Sequence, residues 1–584
     1  MKRLPLALAL AALAVLAVAA PAQAQAPLAP FGHACAPKAG VRFCPTVDLS
    51  QRVASWDGVP LDVDVTLPPG GSGPFPVVVL EHGYPGTKAT FQATAPKGDG
   101  RSTYHYNDNF YARQGYAVVT LSARGFGRSC GAPASRTAGC ERGWTHIADH
   151  RFENRDVQHL LGLLVDQGIA RPDGLGVSGV SGGGGRTVGL AYLRDRIRLP
   201  DGSFAPWVSP RGTPLHIAAA FPRWGWYDLT TALVPNGRPA TSRSPLGVPK
   251  RTWIDLLYAG GAAVGFLAPP GADPQADLTS WRSATLREPF GPEVSGIAQT
   301  LTNYIGGAAG LRGSEPAPLM IENGWTDELF PADEALRIGA GATRPKLLLG
   351  DLGHGWAHNP PATDKAFNDL GADFFRIHLQ PERPRQPALP PDVQAFVSTC
   401  PKTAVGRRLS GPSLASLQRG EVVLRTARAQ RLTSRGGRRA TAKALNGAGG
   451  DWCKGVRTRR EPNTAIYQAR STGFTLLGAP AVQATIRSAG AGGQIAARLW
   501  AVRGAGQRLI ARGLYRLRPG QRGRIRFELH PNAYRFGARS RFKLELLGRD
   551  APYAQAPRRA FSVRVLRLRL ALPTAERGNQ GSSG

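Results

Sequence analysis

Solid apolar runs alternate along the chain with stretches of helical periodicity. Residues 76–80 (Pro-Val-Val-Val-Leu) and 116–121 (Tyr-Ala-Val-Val-Thr-Leu) are nearly all apolar, as strands buried on both faces should be. Residues 61–67 alternate apolar and polar, which predicts a hairpin over 55–68. A short helix is predicted over 108–114. Val157, Leu160, Leu161 and Leu164 recur at helical spacing within 155–165. Residues 174–180 predict another strand and 187–194 another helix, with further buried strands over 215–221, 318–322 and 345–350. Strands alternating with helices imply a parallel sheet covered on both faces. Residues 227–312 break the rhythm with helical patterns such as 253–263 and many aromatic side chains. They predict a cap inserted into the sheet domain, over its carboxyl edge.

After residue 376 the texture changes. A Pro-rich stretch over 381–391 reads as a linker. Short alternating strands follow at 482–486, 494–502, 508–517, 524–529, 541–546 and 559–572, as in an all-β sandwich. The polar end is expected to be disordered. The resulting division is a signal peptide over 1–24, a catalytic α/β domain over 25–226 and 313–380, and a helical cap over 227–312. A linker over 381–398, a β-sandwich over 399–573 and a tail over 574–584 complete it.

The first residues change the picture by compartment. Lys2 and Arg3 precede an apolar run over 4–20, and Ala22-Gln23-Ala24 is a small-x-small cleavage site, so cleavage is expected after Ala24. Six cysteines fit an exported protein. Their closeness in the chain suggests Cys35 with Cys44, Cys130 with Cys140 and Cys400 with Cys453. The formal charge of +33 is spread over both halves without a nucleic-acid-binding motif. It predicts attraction to anionic cell surfaces rather than nucleic acid binding. No ligand cluster suggests a metal, and Gly125-x-Gly127 lacks what a dinucleotide loop needs, so no cofactor is expected.

Gly179-Val180-Ser181-Gly182-Gly183 lies between a buried strand and a helix. That context makes a nucleophile elbow, with Ser181 held out of the sheet on a strained turn. A serine hydroxyl needs an oriented base, and in such sheets the order is Ser, acid, His. Asp327 and His354 each follow a buried strand in that order. His358 is a reserve base, and Glu322 and Glu328 are reserve acids. The backbone N–H of Gly182, at a helix start, is one expected oxyanion donor. Tyr84, in the loop after the first central strand, is the other, through its N–H or its phenol.

The triad order, the phrases Gly350-Asp-Leu-Gly-His354 and Arg124-Gly-Phe-Gly-Arg-Ser129, and the β-rich tail resemble the X-Pro dipeptidyl-peptidase/cocaine-esterase (CocE/NonD) family. The resemblance implies an α/β-hydrolase domain with a helical cap and a carboxyl-terminal jelly roll. Tyr84 matches the family's oxyanion tyrosine, and the phrase at 473–478 matches its entry to the jelly roll. The family usually has Tyr after the serine, where this chain has Gly182, and Gly-Pro-Trp-x-His where this chain has Asp351 and Leu352. The expected function is hydrolysis of a carboxylic ester, or of an amide or acyl-peptide, through an acyl-enzyme. The alternatives are an X-Pro dipeptidyl-peptidase, with Asp228, Asp255 or Glu322 holding the substrate ammonium, and a non-catalytic wall-polymer binder. Trp224, Trp226, Trp253 and Trp281 are expected in or beside the cap, walling a compact pocket or forming the cap's core.

Overall fold

The computed structural model describes residues 28–583 apart from 93–102, 238–245, 265–266, 312, 355–358, 385, 403 and 446–451. The expected signal peptide and His358 lie outside the described residues. Eleven strands make one sheet, in the order Ala36–Lys38, Val41–Cys44, Val63–Leu67, Ala117–Leu121, Phe75–Glu81, Ala170–Val180, Ile217–Arg223, Met320–Gly324, Lys346–Gly350, Val393–Phe396 and Arg408–Gly411. The middle of the sheet is parallel, and antiparallel strands close both edges.

The apolar run at 76–80 shows why the sheet is covered twice. Val77 and Val79 pack with one helical layer, formed by Glu153–Asp166, Gly182–Leu193 and Ala332–Gly339. Val78 and Leu80 pack with the other, formed by Asp108–Arg113 and Pro361–Leu379. Between strands Ile217–Arg223 and Met320–Gly324 the chain leaves the sheet, and its described residues there form the α-helices Leu229–Leu233, Arg251–Ala263, Leu278–Thr285 and Glu293–Tyr304. Trp226, Leu229 and Trp253 of this insertion share a buried cluster with Leu329 and Phe330, and with Leu514, Leu547 and Tyr553 from the β-rich region. The insertion thus rests on both other parts of the molecule.

The β-rich region is two sheets packed face to face. One contains Arg522–Glu528, Ala481–Gly490, Phe561–Thr574 and Gly420–Thr426, and the other Gly506–Leu517, Gly493–Arg503, Arg541–Leu547 and Ala465–Arg470. Val482, Ile486, Val563 and Leu570 of the first meet Ile495, Leu499 and Leu544 of the second in a common core.

Two boundaries differ from those expected. Strands Val393–Phe396 and Arg408–Gly411, assigned to the linker and the sandwich, extend the large sheet instead. Val393 and Ala395 are buried there and cover what would be a bare parallel edge. The tail, expected to be disordered, runs as strand Gly578–Ser583 beside Gly420–Thr426, where its backbone groups complete the ladder. The three disulfides are Cys35–Cys44, Cys130–Cys140 and Cys400–Cys453. No described helix is long and apolar enough to cross a membrane.

Candidate active site

Ser181 occupies the turn between strand Ala170–Val180 and helix Gly182–Leu193, with φ 55° and ψ −116°. Crowding explains the glycines around it. A Cβ on Gly179 would come within 2.6 Å of the Gly183 backbone, and one on Gly183 within 2.0 Å of the Glu81 carbonyl oxygen. Gly182 is different: a Cβ there would meet nothing nearer than the Tyr84 nitrogen at 3.6 Å. Its lack of a side chain therefore leaves open space beside the serine.

Ser181 Oγ lies 2.8 Å from His354 Nε2. His354 Nδ1 lies 2.8 Å from Asp327 Oδ2. The other oxygen of Asp327 accepts the N–H groups of Leu329 and Phe330 at 2.8 and 2.9 Å. The carboxylate is thereby held by its own loop and turned toward the imidazole. With the proton on Nδ1, His354 presents a lone pair to the serine hydroxyl. Phe330, Trp253 and Trp224 surround its ring at centroid distances of 5.1, 5.9 and 6.4 Å. Only 6% of His354 is exposed.

The reserve acids are engaged elsewhere. Glu322 receives Arg223 at 2.8 and 3.0 Å, and Glu328 receives Arg512 from the β-rich region at 2.9 Å. The carboxylates considered for an ammonium are likewise occupied. Asp228 caps helix Leu229–Leu233 through Thr230 N–H, and Asp255 pairs with Arg251 and Arg282.

The backbone nitrogen of Tyr84 faces Gly182, whose own N–H opens the first turn of the elbow helix, where amides have no intrahelical acceptor. The Tyr84 phenol reaches the cap helix. A Cβ on Gly261 of helix Arg251–Ala263 would lie 1.6 Å from its hydroxyl oxygen, and burial pushes the phenol above its usual range. Phe126, from the phrase at 124–129, meets the Tyr84 ring edge-on at 5.3 Å. Arg124 of that phrase is buried between Asp57 and Asp156. His82 receives the N–H of Ala123 at 3.0 Å, and burial pulls it down to about 3, so it is a neutral structural histidine.

Ser181 and Gly182 open onto a cavity of about 160 Å³. Its walls are almost wholly apolar, among them Tyr84, Phe126, Trp226, Leu257, Trp281 and Phe330, and none of its described lining residues is a carboxylate. Of the four expected tryptophans, Trp226 and Trp281 line the cavity, and Trp224 and Trp253 flank His354.

Sequence reasoning missed the support behind Asp327. Lys250 is fully buried and donates to the carbonyls of Glu328 and Leu329 at 2.7 and 3.1 Å. His530 lies 3.3 Å from Asp333, on the same segment. A basic residue just before the predicted helix at 253–263 was the one available signal, and it does not name its partner.

Residues 57–195 match the family model described as X-Pro dipeptidyl-peptidase, S15 family. That stretch holds Tyr84, the phrase at 124–129 and the elbow. In fold the chain is similar to a CocE/NonD family hydrolase from Staphylococcus aureus, at 13% identity and TM-score 0.60 over 91% of this chain and 94% of that one. It is also similar to an aminopeptidase from a marine sediment Thaumarchaeota archaeon, at 12% identity and TM-score 0.58 over 92% and 97%. An α-amino acid ester hydrolase aligns at 13% identity and TM-score 0.55 over 95% and 100%. At such identities the likeness is one of fold. No curated protein matches the chain by sequence. The resemblance read from the sequence is thus matched by the family model over residues 57–195, and the large mixed sheet with a β-rich carboxyl-terminal region is shared with these structures as a fold.

Proposed function

We propose that the chain hydrolyses carboxylic esters of compact, apolar acids through an acyl-enzyme on Ser181. The observation that carries this reading is the continuous chain Ser181–His354–Asp327 opening onto an apolar cavity. Ser181 Oγ attacks the ester carbonyl carbon while His354 Nε2 takes its proton. The tetrahedral oxyanion accepts the N–H groups of Gly182 and Tyr84. Its collapse breaks the bond to the alcohol oxygen, which leaves with the proton from His354. A water then attacks the acyl-enzyme by the same route, releasing the acid and restoring the serine. Asp327 keeps the proton on Nδ1 and stabilises the imidazolium. The backbone N–H of Tyr84 is read as the donor because its nitrogen lies beside Gly182.

The cavity's volume suits one aromatic ring, for about 150 Å³ holds a benzene. Benzoate esters should therefore have a higher kcat/KM than butyrate esters, and palmitate esters the lowest. A preference for palmitate overturns the compact-acid reading. Ser181→Ala and His354→Ala should each lower turnover at least about a thousandfold with the fold retained, and Ser181→Ala should abolish labelling by a fluorophosphonate. Labelling retained in the variant would remove Ser181 from the mechanism in favour of another nucleophile, whereas failure of the parent to label would leave the wall-polymer binder as the better reading. We further read the two packed β sheets as a jelly roll. Three disulfides support activity outside the reducing cytosol.

A further inference from the structure

The first sheet of the β-rich region carries arginines in register across its outer face. Strand Gln430–Thr433 also pairs with Phe561–Thr574, which sets Arg431 opposite Arg564; Arg564 stands opposite Arg487, and Arg487 opposite Arg522, a row of four across four strands. One step along, Arg567 and Arg524 flank Thr485. In the next row Arg425 faces Arg569, which faces Gln483, which faces Arg526. The intervening positions, such as Val482, Ile486, Val563 and Val565, point into the core. Arg564 and Arg567 stand three positions apart because a register shift between Thr485 and Ile486 adds a residue to Phe561–Thr574, and the ladder pairing on either side of it keeps these guanidiniums in adjoining rows of exposed positions.

Eight of these nine arginines are exposed, and Arg569 is half-buried. Among the described residues, carboxylates reach the face only at one end, where Glu421 pairs with Arg569 and Glu528 with Arg526. The other seven make no ion pair among the described residues. Like charges directly opposite one another destabilise a sheet, so a face with seven uncompensated guanidiniums is poorly matched to water alone. Neighbouring strands lie about 4.8 Å apart and same-face residues about 6.8 Å apart. The row of four therefore spans roughly 14 Å, a regular cationic lattice rather than a point site.

We propose that this face binds a linear polyol phosphate polymer, a chain of repeating phosphodiesters of the kind that gives a cell envelope its negative charge. A guanidinium can grip a phosphate with two parallel hydrogen bonds, and a strand-spaced lattice lets successive phosphates be gripped in turn. The face offers no large apolar side chain to enter a bilayer. It also lacks a helix for a nucleic-acid groove and aromatic platforms for stacked bases. The inference stands apart from the ester chemistry, since the face is built from strands that contribute nothing to the triad.

The test immobilises poly(glycerol phosphate) and measures binding of the full chain at about 50 and 200 mM salt. A row variant carries Arg431→Gln, Arg487→Gln, Arg522→Gln and Arg564→Gln. A control carries Arg457→Gln, Arg459→Gln, Arg460→Gln and Arg503→Gln, the same charge loss at exposed positions off the face. The row variant should bind at least tenfold more weakly, with the log–log salt slope reduced by about 3, and should hydrolyse a soluble ester as the parent does. The control should bind nearly as the parent does. Equal weakening of both variants would reduce the effect to net charge and overturn the proposal. So would unchanged binding of the row variant, or tighter row-dependent binding to anionic lipid vesicles or to a 20-base-pair duplex.

Discussion

Lys250→Met tests the support behind the Asp327 carboxylate. The Lys250 ammonium holds the carbonyls of Glu328 and Leu329, and the Leu329 N–H in turn holds Asp327. Methionine fills a similar volume and donates nothing. Two buried carbonyls would then lack this partner, at about 1–3 kcal/mol each, partly offset because a charge no longer needs burying. A net destabilisation of about 2–4 kcal/mol is expected, and kcat should fall at least about tenfold with KM little changed. The charge also sets a pH dependence. Burial pulls Lys250 down from 10.5 to about 8, against the opposing pull of Asp333, Asp327, Glu334 and Glu328. Between these values the unfolded chain binds more protons than the folded one, so this lysine adds stability as pH rises. Its contribution is complete above 10.5 and is lost as pH falls through about 8. At about 1.4 kcal/mol per unit, the gap between parent and Lys250→Met should widen by roughly 2 kcal/mol from pH 7 to 9.5. Urea denaturation at the two pH values reads it directly. A gap that stays constant or narrows would refute the buried-charge argument, and full activity in the variant would refute the positioning role.

Two glycines of the elbow should respond oppositely. Gly183→Ala drives a methyl to 2.0 Å from the Glu81 carbonyl oxygen, so at least about 3 kcal/mol of stability and most activity should be lost; a melting temperature within two degrees or so of the parent would contradict that crowding. Gly182→Tyr should fold, because a Cβ there makes only ordinary contacts, and should shift preference from benzoate toward acetate esters. An unchanged ratio of kcat/KM values would mean that Gly182 does not shape the acyl site. The Cys400–Cys453 bridge closes a separation of 53 residues, for which chain entropy gives up to about 4 kcal/mol. The double serine variant should melt lower, and free thiols at both positions of protein folded under oxidising conditions would refute the pairing.

The juxtaposition of Ser181, His354 and Asp327 was legible because each of them is marked locally. Ser181 sits among obligatory glycines, and Asp327 and His354 each end an apolar strand in the order the sheet requires. Lys250 and Arg512 were not legible, since their partner Glu328 is 78 and 184 positions away and a lone basic residue carries no sign of burial. The linker was misjudged for a different reason. Prolines at 384, 387, 390 and 391 mask a four-residue strand, Val393–Phe396, too short for periodicity to reveal. The arginine face lay between these cases. Arg522, Arg524 and Arg526 alternate visibly, but only the register of Phe561–Thr574 against both neighbours shows that separate alternations share one face.

The S15 match raises the question of peptide substrates, and the charges around the cavity weigh against them. An X-Pro dipeptidyl-peptidase must take a substrate ammonium out of water, which is unfavourable by several kcal/mol unless a carboxylate meets it. Asp228, Asp255 and Glu322 are spent on a helix cap, on Arg251 and Arg282, and on Arg223. The charged groups that do line the cavity, Arg186 and Arg282, are cations already paired with Glu81 and Asp255. Such a wall offers an ammonium no counter-charge. Blocking the amine should therefore help: the N-acetyl derivative of a phenylalanine methyl ester should be turned over with a kcat/KM at least about tenfold higher than the free amino ester, measured near pH 6 where the amine is fully charged. An X-Pro anilide should be cleaved more slowly still. A clear preference for the free amino ester would mean that a carboxylate reaches the bound substrate after all, and would return the peptidase reading to first place.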